Sequence, residues 1–261
     1  MWQKRSVDGL SIRYAEEGEG RPVLLLHGAS LGSSADVWLR NLKPLSRHSL
    51  RVLAPDFPGF GESDNPADPS VAYRSRFVLA FMDALGLERA ALVGHSQSGR
   101  VAVDLAFRHP QRIAGVVVLG TGSLLPKIAD AKEAEGEEGS GTEPTLEDTR
   151  RDLESNLFHP GLATADAVDV RHRLSLGKNF AAFLARKRAG GNKGGQPLSE
   201  CPVPLLLLYG EQDRAQAARR VALLKEKHPS LDVRLLPQCR HLVQWDAADE
   251  FARLAGRFLS A

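Results

Sequence analysis

The sequence predicts an α/β fold, a doubly wound and mainly parallel sheet, on three observations. Short, nearly all-apolar runs rich in Val and Leu recur along the chain, at residues 22–27, 52–54, 90–93, 113–119, 203–209 and 233–236. Runs this short and apolar on both faces suit strands buried in a parallel sheet. Stretches with apolar residues at three- and four-residue steps lie between several of them, and strand alternating with helix marks a doubly wound sheet. Finally, 261 residues with 43% hydrophobic and 25% charged content fit one large α/β domain or two small ones.

Taken in chain order, "KRSVDGLSIRYAEEGEG" alternates polar and apolar residues around Asp8-Gly9, the pattern of a hairpin. "YRSRFVLAFMDALGL", "SGRVAVDLAFRHP" and the closing "DEFARLAGRFLSA" carry helical periodicity. Residues 123–200 break the rhythm. They hold an acidic, glycine-rich piece, "DAKEAEGEEGSGTEP", with too little apolar surface for a core, expected as a solvated and mobile loop. Helical patterns follow in "TLEDTRRDLESNLF" and "TADAVDVRHRLSL", and "RAGGNKGGQP" closes the region. The expected organisation is a sheet domain made of 1–122 and 201–261, with 123–200 inserted as a helical unit.

A formal charge of +2 argues against nucleic acid and membrane surfaces as partners. The N-terminal stretch lacks the apolar segment of a secretory signal, and "PVLLLHG" and "VPLLLLYG" are strand-length, far short of a bilayer span. Cys201 and Cys239 have no metal-ligand spacing and could form one bridge at most. The expectation is a cytoplasmic protein with no metal and no organic cofactor, acting on a small molecule. Its oligomeric state is open, a homo-oligomer included.

The chemistry centres on "LVGHSQSGR", residues 92–100. It follows the nucleophile-turn pattern G-x-S-x-G through Gly94, His95, Ser96 and Gln97, then has Ser98 where the second glycine belongs. "ALVGHS" reads as a strand ending at Ser96 and "QSGRVAVDLAF" as the helix that starts there, which is the context the motif requires. Such a turn exposes the serine oxygen and demands small neighbours two residues either side. Gly94 and Ser98 satisfy this for Ser96. Ser98 as nucleophile would place Arg100 at a small-residue position, so Ser96 is the better candidate.

A serine nucleophile needs a base, an orienting acid and oxyanion donors. Asp213 follows the strand "PLLLLYG", with Glu211 as the rival acid on the same loop. His241 follows "DVRLLPQ". The order serine, acid, histidine matches the motif class, and parallel strands deliver all three to one sheet edge. The backbone N–H groups of Gln97, at a helix start, and of Ala29, in the loop after "VLLLHG", are the candidate oxyanion donors. Asp56 and Ser63, in a glycine-rich loop, are expected to bind loop backbone. Asp104, on the helix after the nucleophile, is an acid that needs a partner the sequence does not name.

"LLHGAS", "DFPGFGESD", "LVGHSQSG", "LYGEQDR" and "CRHLVQWDAADEFARLAGRFL" together resemble the α/β-hydrolase superfamily over nearly the whole chain outside the insertion. The resemblance implies an eight-stranded, mostly parallel sheet and a helical cap over a Ser96–His241–Asp213 triad. "HLVQWDAADEF" and "LATADAVDVRHR" are further similar to the meta-cleavage product hydrolases, which cut a carbon–carbon bond in ring-opened aromatic compounds after ketonising a dienol. That likeness implies Arg171 as the cation for the substrate's acid end, with Trp245 and Ser30 also binding substrate. Three departures stand out: "GASLG" in place of a glycine-rich oxyanion loop, His95 in place of asparagine, and Arg240 in place of glycine before the histidine. His95 is common among esterase-like members, so a carboxylesterase or lactonase is the alternative. A non-catalytic ligand-binding relative is a remoter one.

Overall fold

The computed structural model describes residues 1–128, 141–189, 197–214 and 216–261. Strands β1 (Trp2–Val7) and β2 (Leu10–Glu17) form the expected hairpin. Asp8 and Gly9 turn it with φ of 48° and 80°, the positive angles a tight hairpin turn needs at both central residues. The parallel strands β3 (Arg21–Leu26), β4 (Leu50–Pro55), β5 (Ala90–His95), β6 (Ile113–Leu119), β7 (Leu205–Gly210) and β8 (Asp232–Leu236) follow. They fall on the six apolar runs, shifted by one or two residues at several ends. The sheet order is β1-β2-β4-β3-β5-β6-β7-β8, antiparallel only where β2 meets β1 and β4.

The helices are α1 (Leu39–Ser46), α2 (Val71–Ala84), α3 (Gln97–Arg108), α4 (Leu146–Ser155), α5 (Ala165–Arg173), α6 (Lys178–Ala189), α7 (Ala217–Lys227), α8 (Val243–Asp246) and α9 (Ala248–Ser260). Successive strand residues point to opposite faces, so each run must be apolar throughout to bury both. Leu24 and Leu26 join a core packed by α2, α3 and α7, with Phe77, Phe81, Val101 and Val221. Val23 and Leu25 join the opposite core, packed by α1 and α9, with Leu42, Leu45, Phe251 and Ala255.

Helices α4 to α6 lie between β6 and β7. A Thr145–Asp148 capping box starts α4, and the Thr164 hydroxyl caps α5. α6 was not legible in advance. Its Lys, Arg and Ala content blurs the apolar stripe, because it rests on loops rather than on the sheet. Asn179 Nδ2 donates to Gly61 O at 2.9 Å, and Arg186 Nη1 donates to Gly59 O at 2.9 Å. The acidic stretch expected to be mobile lies mostly outside the described residues, as does most of "RAGGNKGGQP". Among the described residues no helix is long and apolar enough to cross a membrane. Both cysteines are free thiols.

The loop 56–63 is built on a buried charge. Asp56 is fully buried and accepts from Arg13 Nε at 2.6 Å, Ala35 N at 2.6 Å and Glu62 N at 2.9 Å. Ser63 Oγ donates to Asp56 O at 2.9 Å and accepts from Arg13 N at 3.0 Å. Both residues thus bind loop backbone, as the sequence suggests. Asp104 is held by Arg100 one turn earlier, at 3.1 Å.

Removing one partner of a buried pair strands the other charge and costs about 3–5 kcal/mol. Asp56→Ala should therefore lower unfolding stability by about that much, read from urea midpoints at constant slope. A loss below about 1 kcal/mol would contradict this role for the carboxylate.

Candidate active site

Ser96 closes β5 and sits at the N-cap of α3, but with φ 55° and ψ −127° its side chain makes no capping bond. The hydroxyls of Ser70, Thr145 and Thr164, in extended conformations, cap their helices in the ordinary way. The left-handed backbone at Ser96 leaves its hydroxyl out of the cap, at a cost of about 1–3 kcal/mol that the surroundings must offset.

They do so at close range. Ser96 N donates to Leu119 O at 2.8 Å, and Thr121 Oγ1 donates to Ser96 O at 2.6 Å. A Cβ on Gly94 would lie 2.4 Å from Ser98 O and 2.5 Å from Gly99 Cα, so strand and helix cross there with no room for a side chain. Ser98 is fully buried, and its Oγ donates to His27 O at 2.5 Å, tying the helix to the end of β3. The serine that departs from the motif is a structural tie between strand and helix.

The acid and histidine loops meet beside this turn. His241 Nδ1 donates to Asp213 Oδ2 at 3.1 Å, and Nε2 has no hydrogen bond among the described residues. Asp213 Oδ1 accepts from Arg214 N at 2.7 Å. Glu211 is exposed, and among the described residues its side chain pairs with its neighbour, through Gln212 Nε2 at 3.2 Å. Gly120, at φ 58°, leaves space for the pair: a Cβ there would lie 3.2 Å from His241 Nδ1 and 3.5 Å from Asp213 Oδ2.

His95 has a role that sequence reading missed. Its Nε2 donates to His241 O at 3.0 Å, and the two rings lie 4.8 Å apart. Burial, and then the nearby His241, hold His95 well below the ordinary histidine pKa, so it is a neutral prop under the histidine loop. His27 is likewise neutral. Its Nδ1 donates to Gly28 O at 2.7 Å while its Nε2 accepts from Phe57 N at 3.0 Å, and burial lowers its pKa to about 3.

The inserted helices reach the same place. Arg171 Nη2 donates to Asp152 Oδ2 at 2.9 Å and to Ser30 Oγ at 3.4 Å. A cavity of about 20 Å³ is lined by Gly28, Ser30, His95, Arg171 and His241. Val37 also lines it, whereas Trp245 stands one layer back, donating its Nε1 to Val37 O at 2.7 Å. Ala29, in the loop after β3, is half-buried against the core, and Gln97 is the first residue of α3. Asp246, also unforeseen, ties the insertion to the histidine loop by accepting from Arg240 N at 2.9 Å and Phe158 N at 2.8 Å.

Comparison with known proteins finds the same plan. The model of the alpha/beta hydrolase family matches residues 23–254. The 2-hydroxy-6-oxo-6-phenylhexa-2,4-dienoate hydrolase of Burkholderia cepacia is 28% identical over 98% of this chain and 94% of its own. The 2-hydroxymuconate semialdehyde hydrolase of Pseudomonas putida is 30% identical over 97% and 92%. A meta-cleavage product hydrolase from Pseudomonas fluorescens IP01 superposes with a TM-score of 0.83 at 25% identity, over 98% of this chain and 96% of its own.

The two buried histidines predict a pH dependence of stability. Their folded pKa values lie below the unfolded value of about 6.5. Above that pH neither state holds the proton. Between about 6.5 and the folded value only the unfolded chain binds it, so stability falls as pH falls, by about 1.4 kcal/mol per unit for each histidine. Urea midpoints from pH 7.5 to 4.5 should trace this decline, with a slope shallower by about one proton in His27→Gln. Equal slopes in both proteins would contradict a neutral His27.

Proposed function

Because the chain belongs to the alpha/beta hydrolase family, we propose that it is a serine hydrolase that cleaves a carbon–carbon bond in a 2-hydroxy-6-oxo-dienoate, a ring-cleavage product of aromatic catabolism. The observation that carries this reading is Arg171, which brings a cation from the inserted helices to the cavity that His241 lines. A neutral ester gives such a cation nothing to bind, whereas a dienoate presents a carboxylate. Likeness to dienoate hydrolases along the full chain supports it.

In this mechanism ketonisation moves the C2 hydroxyl proton to C5. His241 Nε2 then removes the proton from Ser96 Oγ as that oxygen adds to the C6 carbonyl. Asp213 holds the imidazole tautomer and stabilises its charge. The backbone N–H groups of Gln97 and Ala29 receive the developing oxyanion. When the adduct collapses the C5–C6 bond breaks, and its electron pair runs back along the conjugated chain to the C2 oxygen, which takes up a proton. Water then attacks the acyl-enzyme, releases the carboxylic acid and returns the proton to Ser96. Ser30 and Arg171 hold the dienoate carboxylate, and Trp245 shapes the site through Val37. Helices α4 to α6 act as the cap that excludes water, and the narrow space beneath them requires the cap to shift for substrate to enter.

The test is turnover of 2-hydroxy-6-oxo-6-phenylhexa-2,4-dienoate beside a neutral aryl ester. Ser96→Ala should lose about a millionfold in rate on both, and Asp213→Asn about 10⁴-fold. Arg171→Gln should lose about 10²- to 10³-fold in kcat/KM on the dienoate while barely changing ester hydrolysis. Robust ester turnover with no dienoate cleavage, indifferent to Arg171, would identify an esterase instead.

A further inference from the structure

A second cavity, of about 230 Å³, lies between α6 and the start of α2, lined by Pro58, Pro66 and Tyr73 together with Arg74 and Arg186. Arg74 is 5% exposed. Its Nη2 donates to Gln97 Oε1 at 3.2 Å, but its Nε and Nη1 are buried and have no hydrogen-bond partner among the described residues. Arg186 Nη1 donates to Gly59 O, and its guanidinium lies 3.7 Å from the centre of the Phe60 ring. Neither arginine has a carboxylate within ion-pair distance among the described residues. Asp68, on the same rim, is engaged elsewhere, accepting from Arg76 Nη2 at 2.7 Å and Ser70 N at 2.9 Å.

A buried guanidinium group beside a half-buried one, with no counter-charge among the described residues, is costly, since a buried charge is ordinarily paired. Burial lowers the pKa of Arg74 to about 10, and burial with the neighbouring Arg74 lowers that of Arg186 to about 9, so both remain cationic at neutral pH. The residues that touch the two arginines neighbour the reaction centre. Gln97, which holds Arg74, follows Ser96 directly. Phe60, beneath Arg186, packs on His27 with ring centres 5.0 Å apart. A carboxylate here would be held by charge-assisted bonds, with its carbon stem against proline and tyrosine.

We propose that Arg74 and Arg186 form a carboxylate-binding subsite, separate from Arg171, that takes an acid group on the acyl end of the substrate. This assignment rests on the dienoate reading above, and it makes the substrate class diacids, with one carboxylate for Arg171 and one for the arginine pair. The same chemistry could serve a free small dicarboxylic acid, and the experiment separates the two sources.

Two dienoates are compared, one ending in a phenyl group at C6 and one ending in a propanoate. The ratio of kcat/KM, diacid over phenyl, is measured for the wild type, Arg186→Gln and Arg74→Gln, with native melting confirmed for each. The expected result is a fall in that ratio of about 10- to 100-fold in either variant. A structural role alone would lower both substrates together and leave the ratio unchanged. Succinate binding followed by calorimetry needs no turnover. If neither dienoate is cleaved, the dienoate reading fails. Succinate held by the wild type and lost in Arg186→Gln would still support the anion site, with a free acid as its ligand. An unchanged ratio together with no succinate binding would overturn the proposal, and Arg186→Gln alone suffices if Arg74→Gln fails to fold.

Discussion

The backbone of Ser96 is the constraint on which the rest depends. A serine at φ 55° is unfavourable alone, and three neighbouring segments combine to hold it. Gly94 lets the helix cross the strand without a side chain between them. Leu119 and Thr121 grip the Ser96 amide and carbonyl from β6 and its loop. Ser98 anchors α3 to the end of β3. The result frees an N-cap hydroxyl from capping, on the turn whose neighbour His95 lies against His241. The buried neutral His95 then supports the histidine loop through the His241 carbonyl.

The inserted helices are fixed to the same loops. Asp246 and the Leu242 N–H, which donates to Asn156 O at 3.1 Å, bind them to the histidine segment. Asn179 and Arg186 bind them to the loop that Asp56 organises. Arginines near this junction sort by their counter-charges. Arg13 is saturated by Asp36 and Asp56 and serves the fold. Arg171 shares Asp152 and still lines a cavity. Arg74 and Arg186 have no carboxylate within ion-pair distance among the described residues and face another cavity, which is why they suggest a ligand.

Much of this was legible in the sequence because it depends on local rules. All-apolar runs fixed the parallel strands, Asp8-Gly9 fixed the hairpin, and a strand running into Ser96 and then a helix fixed the turn. What escaped notice depends on residues distant in sequence. The tie from Ser98 to His27 spans 71 positions and that from His95 to the His241 carbonyl spans 146. No periodicity encodes either. Asp246, too, has its partners at Phe158 in the insertion and at Arg240, and no local pattern marks them. α6 escapes the pattern because its partners are loop carbonyls, which leave no apolar stripe, and Trp245 stands one layer behind the cavity wall.

The central claim is that the strained turn makes Ser96, and not its neighbour Ser98, the reactive hydroxyl. Incubating the protein with a fluorophosphonate and mapping the adduct by peptide mass spectrometry tests this directly. The account predicts one covalent equivalent, on Ser96, abolished in Ser96→Ala and retained in Ser98→Ala. An adduct on Ser98, or none on a natively folded protein, would contradict it.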